Sequence, residues 1–400
     1  MTAIHRKMIF RARQALMGGF MAKPQPRAMI FLGPGSSTQL AQAIGRFGLR
    51  NTLVVTDKPL RELGVLDTTL AALASAGVST TVYDGVAPDP TQQIVDEGIA
   101  QYRQSRCDAV LAFGGGSSID AAKVIALAAA NGCVAADCIG AKKCKLPAAP
   151  LFAIPTTAGT GSEGTFIAVI SDNETHAKNA VIDPSLIPRA AALDPELMRG
   201  LPPHITAATG MDALTHAIES YVARWGNNDT DYYGLASCRL VFDNLGEACH
   251  NGENLEAREA MALASYYGGL AISQALVGYV HAISHNLGAK YGVPHGLGNA
   301  MVLPHVMELI QPQAQEKFAD IARHCGMGSA GDSSATLAQT LVDRVWALNE
   351  EISIPRTTDT IQAGDIDGLV QAAISEGGNY ASPRFITEQE CRNILIAISN

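Results

Sequence analysis

Short, continuously apolar runs alternate with helix-forming segments through the first half of the chain. Continuous runs, rather than runs that alternate with polar residues, are typical of strands buried on both faces of a parallel sheet. The order strand, helix, strand indicates right-handed crossovers and a doubly wound α/β layer. The pattern predicts buried strands at 28–32, 52–56, 80–83, 109–113 and 151–154, with helices at 37–47 and 119–130.

After about residue 200 the pattern changes to long segments whose apolar residues recur at every third or fourth position, which predicts amphipathic helices and no strand of comparable quality. A chain of 400 residues is long enough for two domains. We predict an α/β domain at 1–197 and an all-helical domain at 198–400, with a proline-rich hinge near 193–203. The predicted helices are 206–223, 231–246, 255–277 and 280–290.

The N-terminal segment is basic: eight Lys or Arg residues and no Asp or Glu precede Asp57. An Arg-rich start without acids is one feature of an organelle transit peptide, which is the alternative interpretation here. The apolar run 8–10 is too short for the core of a secretory signal. We interpret residues 1–27 as a basic extension that forms a surface helix, and we expect a cytoplasmic protein.

Composition limits the partners and the compartment. The net charge of −9 argues against nucleic acid or an anionic membrane as the main partner, and no apolar run is long enough for a membrane span. Eight scattered cysteines favour reduced thiols in the cytoplasm. Cys133, Cys138 and Cys144 suggest a zinc knuckle, but no fourth ligand lies at the required spacing.

A glycine-rich turn follows the predicted strand 109–113. Gly114, Gly115 and Gly116 are followed by Ser117 and Ser118, and a helix is predicted directly after them. Backbone N–H groups exposed by glycines at a helix N-terminus form an anion site. A plain tight turn is the alternative, and we favour a phosphate-binding loop.

Three further features point to a dinucleotide. Asp57 ends the predicted strand 52–56, where an acid accepts hydrogen bonds from a ribose and repels a 2′-phosphate, although it equally suits a helix N-cap. The loop 155–163, with Thr156 and Thr157, offers hydroxyl donors, and Lys178 is a candidate partner in a stretch with few charges. Together these residues favour NAD over NADP.

Histidines and an aspartate recur at helical spacing in the second half. Asp212 and His216 are four residues apart, as are His281 and His285, and His295 follows in a Pro-His-Gly turn. Residues four apart share one face of a helix and can bind the same ion. Five candidates exceed the needs of a catalytic ion with an open position, and spacing does not select among them.

Four motifs, in order along the chain, resemble the iron-containing (group III) alcohol dehydrogenase family. The resemblance runs from about residue 28 to the C-terminus. The motifs are GGGSSIDAAK at 114–123, PTTAGTGSE at 155–163, TAATGMDALTHAIE at 206–219, and the segment 278–300 with HAISH and PHGLGNA.

The resemblance implies a dinucleotide-binding α/β domain followed by an all-helical metal-binding and catalytic domain, as in dehydroquinate synthase. It implies metal ligands at Asp212, His216, His281 and His295, and it assigns His285 to the catalytic site near the nicotinamide. Members of the family are usually dimers or larger, so we expect a homodimer or higher homo-oligomer. The implied NAD positions are Asp57, Gly115, Gly116, Ser117, Thr156, Thr157, Val169 and Lys178, to which the loop adds Gly114.

Two departures from the family pattern concern the site. Asp89 lies in a turn where the family commonly has Asn, and an acid near the cofactor would weaken its binding. Asn286 stands where many members carry Pro or Gln, which alters the surroundings of His285. Neither departure affects a predicted metal ligand.

The function expected from these features is an NAD-dependent alcohol dehydrogenase or aldehyde reductase. Fe²⁺, with Zn²⁺ as the alternative, would bind the alkoxide while hydride passes to or from the nicotinamide. The expected partner is a small alcohol or aldehyde. A hydroxyacid–oxoacid transhydrogenase, a dehydroquinate synthase-like lyase and a non-catalytic NAD- or metal-binding protein are the alternatives.

Overall fold

The computed structural model describes residues 8–15, 18, 25–175 and 177–400. These residues fall into two compact units. One unit contains the described residues before 25 together with Pro202–Gly252 and Tyr267–Asn400, and it is helical. The other contains Gln25–Leu201 and Glu253–Tyr266, and it holds the strands.

The α/β unit is built on a six-stranded parallel sheet with the strand order β1-β9-β6-β4-β2-β3. The order is not sequential, so the chain crosses the sheet and returns, which is the arrangement of a doubly wound fold. This finding confirms the predicted fold class. The strands are β1 (Met29–Leu32), β2 (Asn51–Asp57), β3 (Ser79–Val86), β4 (Ala109–Gly114), β6 (Leu151–Pro155) and β9 (Ala190–Leu193).

The prediction that all five apolar runs are buried strands is wrong for two of them. β1 and β3 are the edge strands, and Met29 and Leu32 at the ends of β1 are 56% and 44% exposed. The inner strands β4 and β6 are buried throughout. An apolar run therefore indicated a strand correctly, but its position in the sheet depended on the topology.

The sequence pattern also missed four strands. β9 (Ala190–Leu193) is fully buried between β1 and β6, where its three alanines allow close packing but give a weak sequence signal. A second, three-stranded sheet has the order β5-β8-β7 and is formed by strands too short or too polar to stand out. Its members are β5 (Gly140–Ala141), β7 (Ile167–Ser171) and β8 (Lys178–Ile182).

Helices cover the main sheet and form its hydrophobic core with it. Side chains of α2, α4, β2, β4 and β6 make up one buried cluster that includes Leu40, Leu73 and Leu111. The long helix after β4 begins at Gly116, three residues before the predicted start. Gly116, Ser117 and Ser118 therefore belong to the helix. The helices of this region are α2 (Ser36–Arg46), α3 (Lys58–Glu62), α4 (Asp67–Ser75), α5 (Gln92–Gln104) and α6 (Gly116–Asn131).

The second half of the chain is helical, as predicted. α7 packs against α8 and α11, while α10 packs against α11 and α13. α11 is 30 residues long and contains two prolines, Pro304 and Pro312. The helices are α7 (Pro203–Val222), α8 (Asn228–His250), α9 (Leu255–Ala275), α10 (Tyr279–Tyr291), α11 (His295–His324), α12 (Ser334–Glu351), α13 (Ile366–Gly377) and α14 (Glu388–Ala397).

Residues 8–15 are helical (α1) and belong to the helical unit. The side-chain amide of Gln14 donates to the carbonyl oxygens of Gly378 and Tyr380, at 2.9 and 2.6 Å. The Phe10 ring lies 6.0 Å from that of Phe385. The remainder of the predicted basic extension, apart from residue 18 and residues 25–27, lies outside the described residues.

In the described part of the chain, no individual helix combines the length and hydropathy of a membrane span. Among the described helices, α9 and α10 would have sufficient length and hydropathy only if they were taken together, and they form a bent pair.

We predict that Leu111→Ala lowers the free energy of unfolding of the α/β unit by about 2–5 kcal/mol, because Leu111 is fully buried in β4 and its loss leaves a cavity. The midpoint of urea denaturation measures this change. Leu63→Ala is the matched control: Leu63 is 76% exposed, and we expect a change within about 0.5 kcal/mol. Equal shifts in the two variants would contradict the assignment of the core.

Candidate metal centre and cofactor-binding loops

One helix supplies two of the predicted metal ligands. Asp212 and His216 lie one turn apart on α7, with their side chains only 3% and 6% exposed. The Oδ1 atom of Asp212 is 3.6 Å from Nε2 of His216. The helical spacing therefore brings the carboxylate and the imidazole together inside the protein, as their sequence pattern predicts.

The other two ligands come from separate helices of the same unit. Nε2 of His281, on α10, lies 3.6 Å from Oδ1 of Asp212, and Nε2 of His295, the first residue of α11, lies 3.3 Å from it. The four ligand atoms, one from each residue, all lie within 4.8 Å of one another. Three helices thus converge on one buried carboxylate.

The distances in this cluster fit a metal ion. Ligands about 2.0–2.1 Å from a tetrahedral ion are separated by about 3.4 Å, close to the spacings around Asp212. The side-chain amide of Asn299 is 2.7 Å from Asp212 Oδ1 and 3.2 Å from Nε2 of both His281 and His295. Its two hydrogens cannot satisfy three acceptors at once, so the cluster has more lone pairs than protein donors.

Glu219 orients one of the metal-ligand candidates. Its carboxylate accepts a 2.7 Å hydrogen bond from Nδ1 of His281 and two more from the backbone N–H groups of Gly278 and Val280. Since Nδ1 carries a proton, Nε2 of His281, which faces Asp212, is the ring nitrogen available to a proton or to a metal ion. This carboxylate–histidine arrangement is common behind metal-binding imidazoles.

The electrostatics of the cluster call for positive charge. Burial alone would raise the pKa of Asp212, but the facing His216 and His295, together with hydrogen bonding to His281 and His295, lower it well below its usual range. Burial alone would lower the pKa of His281, yet its hydrogen bonds to Asp212 and Glu219 raise that pKa to about 9. A proton or a metal cation meets the same need, which is compensation of two buried carboxylates.

His285 lies beside this cluster but has a different partner. Its Nδ1 is 2.6 Å from Glu376 Oε1, and its ring stacks on that of His295 at a centroid distance of 5.1 Å. Glu376 also accepts hydrogen bonds from Asn286 and from the hydroxyl of Tyr380, at 3.1 and 2.8 Å. Burial lowers the pKa of His285 to about 4, despite the opposing effect of Glu376. The imidazole is therefore neutral near pH 7, with its proton on Nδ1.

The glycine loop has the conformation of a strand-to-helix turn. Gly114 ends β4 with φ of 151°, which other residues rarely adopt. Gly115 precedes α6, and a Cβ on Gly116 would lie 2.5 Å from the side chain of Thr160. Ser117 lies in the first turn of α6 and is partly exposed. Together these residues leave backbone N–H groups accessible at the start of a 16-residue helix.

Asp57 has the capping role that its sequence position also suggested. Its Oδ1 accepts a 2.9 Å hydrogen bond from the backbone N–H of Leu60 and caps α3. The residue still lies at the carboxyl end of β2, which neighbours β4 in the parallel sheet. The carboxyl ends of β2, β4 and β6 therefore bring Asp57, Gly114 and Thr156 to the same edge.

The loop 155–163 is fastened to α6 by a buried lysine. The Nζ atom of Lys123 lies within hydrogen-bond distance of four acceptors, which share its three N–H groups: Ser162 O and Oγ at 2.7 and 2.9 Å, Thr165 Oγ1 at 2.8 Å and the Ile167 carbonyl at 2.7 Å. Thr156 is buried, and its N–H donates to the Gly114 carbonyl at 3.0 Å. These bonds fix the loop beside the glycine turn.

Asp120 is the charge partner of this network. Its carboxylate accepts from Ser162 Oγ at 2.6 Å and from the N–H of Val169 at 2.9 Å. Thr157, on the loop, lies against Gly115: a Cβ on that glycine would be 3.3 Å from Thr157 Oγ1. Burial lowers the pKa of Lys123 to about 8, while Asp120 and Glu163 act in the opposite direction.

Lys178 has an acidic partner that the family pattern does not include. Its Nζ lies 2.9 Å from Oδ1 of Asp89, which has a positive φ of 52° in the turn after β3. The departure noted at Asp89 therefore concerns a predicted cofactor residue directly, because any anionic ligand of Lys178 competes with this carboxylate.

Sequence reasoning missed several residues that support the site. Four of the five had a signal: a charged or amide side chain within a segment that is otherwise apolar or that already carried a ligand. Glu219 follows His216 by three residues and Asn299 follows His295 by four, whereas Glu376 is 91 residues from His285 and had no local signal. The missed residues are Lys123, Asp120, Glu219, Asn299 and Glu376.

The fold, the cluster of candidate metal ligands and the candidate cofactor-binding loops define a class of protein. Comparison with known families agrees with it. Residues 26–195 match the iron-containing alcohol dehydrogenase family, and residues 206–399 match the C-terminal region of the Fe-containing alcohol dehydrogenase family. The chain belongs to the iron-containing alcohol dehydrogenase family and is an oxidoreductase of the alcohol dehydrogenase type.

Individual relatives cover nearly the whole chain. Alcohol dehydrogenase 4 of Schizosaccharomyces pombe is 40% identical over 91% of this chain and 86% of its own length. The NAD-dependent methanol dehydrogenase of Bacillus methanolicus is 37% identical over 91% of this chain and 96% of its own. The crystal structure of a 1,3-propanediol oxidoreductase superposes with a TM-score of 0.90 at 36% identity, covering 94% of this chain and 99% of its own.

We predict that Glu219→Gln weakens the binding of a divalent ion at this cluster by roughly ten- to a hundredfold, because a neutral amide supports the His281 imidazole less strongly. Competition with a chromophoric chelator measures the affinity. Glu256→Gln, at an exposed position on α9, serves as the control and should bind the ion like the unmodified protein. Equal affinity in the two variants would rule out the orienting role of Glu219.

Proposed function

We propose that this chain is an NAD-dependent alcohol dehydrogenase that also reduces aldehydes, with a single divalent metal held by Asp212, His216, His281 and His295. The observation that carries the proposal is the buried cluster of one carboxylate and three imidazoles, whose ligand atoms lie within 4.8 Å of one another. Such a donor set suits Fe²⁺, Zn²⁺ or Co²⁺. The family name favours Fe²⁺, which we take as the ion, with Zn²⁺ as the alternative.

The role of the bound ion follows from its charge. A divalent cation supplies a Lewis acid that lowers the pKa of an alcohol hydroxyl and polarises an aldehyde carbonyl. The protein contributes the geometry: Glu219 holds the His281 ring in place, and the one negative charge among the four ligands leaves the ion electrophilic. His295 is the most exposed ligand, at 30% of its side chain, which supports an open coordination position on its side of the cluster.

The proposed NAD site lies in the α/β unit. Gly114, Gly115 and Gly116 with Ser117 would bind the diphosphate through backbone N–H groups, and Asp57 would accept hydrogen bonds from the adenosine ribose. Nicotinamide supplies the hydride acceptor for alcohol oxidation and the donor for aldehyde reduction. The NAD-dependent methanol dehydrogenase of Bacillus methanolicus, a relative of this chain, supports NAD as the cofactor. The remaining proposed contacts are Thr156, Thr157, Val169 and Lys178.

His285 is proposed to handle the proton of the reaction. Its Nδ1 proton is committed to Glu376, so Nε2 keeps a lone pair that can take up a proton released from the alcohol and pass it on, because a ring with a pKa of about 4 does not retain a proton near pH 7. Asn286 and Tyr380 hold Glu376 through its two carboxylate oxygens. The same atoms can return a proton when the reaction runs toward the alcohol.

The substrate is proposed to be a small alcohol or aldehyde, in agreement with relatives named for methanol and 1,3-propanediol. We also propose a cytoplasmic location. The eight cysteines, all within the described part of the chain, form no disulfide, which agrees with a reducing compartment. Assembly as a homodimer or larger oligomer belongs to the same proposal and rests on the family resemblance alone.

We predict that Asp212→Ala removes the metal and lowers kcat/KM for alcohol oxidation at least about a hundredfold, because the cluster loses its only carboxylate ligand and the Lewis acid with it. Metal analysis and NADH absorbance, followed on the same preparation with a panel of alcohols, provide the test. Asp243→Ala, on the exposed face of α8, should keep both metal and activity. Full metal content and full activity in Asp212→Ala would refute the ligand assignment.

We predict that Asp57→Asn raises the ratio of kcat/KM for NADP to that for NAD by roughly tenfold, since about 1.4 kcal/mol of charge repulsion against a 2′-phosphate is removed. Asn is as good an N-cap as Asp, so α3 keeps its cap and stability should hardly change. Asp67→Asn, in the first turn of α4, is the matched control. An unchanged cofactor ratio in Asp57→Asn would argue against the ribose contact.

A further inference from the structure

Three cysteines that are separated in the sequence meet at one point of the α/β unit. Cys133 follows the end of α6, Cys138 ends a short 3₁₀ helix (Ala135–Cys138), and Cys144 follows β5. The Sγ atom of Cys138 lies 3.8 Å from that of Cys133 and 3.5 Å from that of Cys144. We propose that these three thiolates form a second metal site, which binds a soft, thiophilic cation such as Zn²⁺ or Cd²⁺.

The sulfur spacing suits a shared cation. With Zn–S bonds of about 2.3 Å, two sulfurs of a tetrahedral site are about 3.8 Å apart. The distances from Cys138 are close to this value, and all three Sγ atoms lie within 4.8 Å of one another. A disulfide requires sulfurs about 2.05 Å apart, so either pair would have to approach by well over 1 Å.

The backbone around the trio is held independently of the thiols. Gly132, which follows the last residue of α6, has the left-handed conformation with φ of 68°, and the chain turns there toward Cys133. The N–H of Ala135 donates to Asp96 Oδ1 at 2.8 Å. After β5, Lys142 adopts a positive φ of 49° and its N–H donates to the Ile182 carbonyl at 2.8 Å. The sulfurs are therefore brought together by the loop itself, and little ordering is needed when an ion binds.

The charge, the exposure and the ligand type of the three cysteines indicate which ion would bind. Three thiolates and one divalent cation carry a net charge of −1; the exposed Lys142, Lys143 and Lys145 are neighbours of Cys144 in the sequence, and Asp183 adds negative charge near its thiol. Cys133 and Cys144 are partly exposed, whereas Cys138 is buried. A cation bound here would have three sulfur ligands and a fourth position open to water. Thiolate ligands select Zn²⁺, Cd²⁺ and similar soft ions over Mg²⁺ or Ca²⁺.

The trio lies at the opposite end of α6 from the glycine loop. A helix of 16 residues is about 24 Å long, so a cation among the thiols is far from the proposed diphosphate contacts. We therefore assign it a structural role, the fastening of the connection between α6 and β6. Loss of the ion should leave alcohol oxidation unchanged.

Cadmium tests the proposal, because thiolate ligands to Cd²⁺ give an ultraviolet charge-transfer band that imidazole and carboxylate ligands do not. The reduced, full-length protein is titrated with Cd²⁺ alone. We expect a band that saturates at one thiolate-bound ion per chain and is bleached by excess Zn²⁺. The band should be lost in Cys138→Ser and strongly reduced in Cys144→Ser, a partly exposed position where serine disturbs the fold little.

The matched control is Cys107→Ser, which removes a buried thiol outside the trio and should keep the full band. Circular dichroism checks that each variant is folded, and alcohol oxidation should be the same in all of them. The absence of a band in the wild-type protein, or a band that persists in both Cys138→Ser and Cys144→Ser, would overturn the proposal. It also fails if two thiols oxidise reversibly in air while the reduced protein binds no Cd²⁺.

Discussion

A buried carboxylate needs compensating positive charge, and the helical unit is organised around that need at Asp212. The charge is nearly inaccessible to water, so leaving it without partners would cost several kcal/mol. Three imidazoles approach it from three different helices, and the packing of α7, α10 and α11 has to bring those helices together. Whether a proton or a metal supplies the positive charge, the convergence of the helices and the geometry of the site follow from one requirement.

Two histidine–carboxylate pairs lie around this centre, and their imidazole rings have different proposed roles. His281 is paired through Nδ1 with Glu219, and His285 is paired in the same way with Glu376. In each pair the carboxylate accepts the Nδ1 proton, and Nε2 is the nitrogen left for another partner. In His281 that nitrogen faces Asp212, while His285 is not among the four clustered donors. The difference between a ligand and a proton acceptor therefore lies in what each Nε2 faces, since the pairing of Nδ1 with a carboxylate is shared.

The α/β unit also contains a buried charge that needs partners, and here the charge is that of a lysine. Lys123 is fully buried, and its three N–H groups are shared among four acceptors on and after the loop that follows β6. Asp120, one turn earlier on α6, balances its charge and holds the N–H of Val169. A helix that begins at the glycine turn thus also fixes the neighbouring loop. This accounts for a lysine and an aspartate within a helix that otherwise consists mostly of small and apolar residues.

Local sequence patterns by themselves determined most strands, all of the long helices predicted in the second half, and part of the candidate site. Continuous apolar runs indicated the strands, helical spacing paired Asp212 with His216, and three glycines after β4 indicated the anion loop, because each depends on residues close together in the chain. Tertiary structure decided the rest. It made β1 and β3 edge strands, inserted the alanine strand β9 between β1 and β6, and brought Glu376 to His285 across 91 positions. Contacts between distant segments arise from packing of whole elements, and no local pattern encodes them.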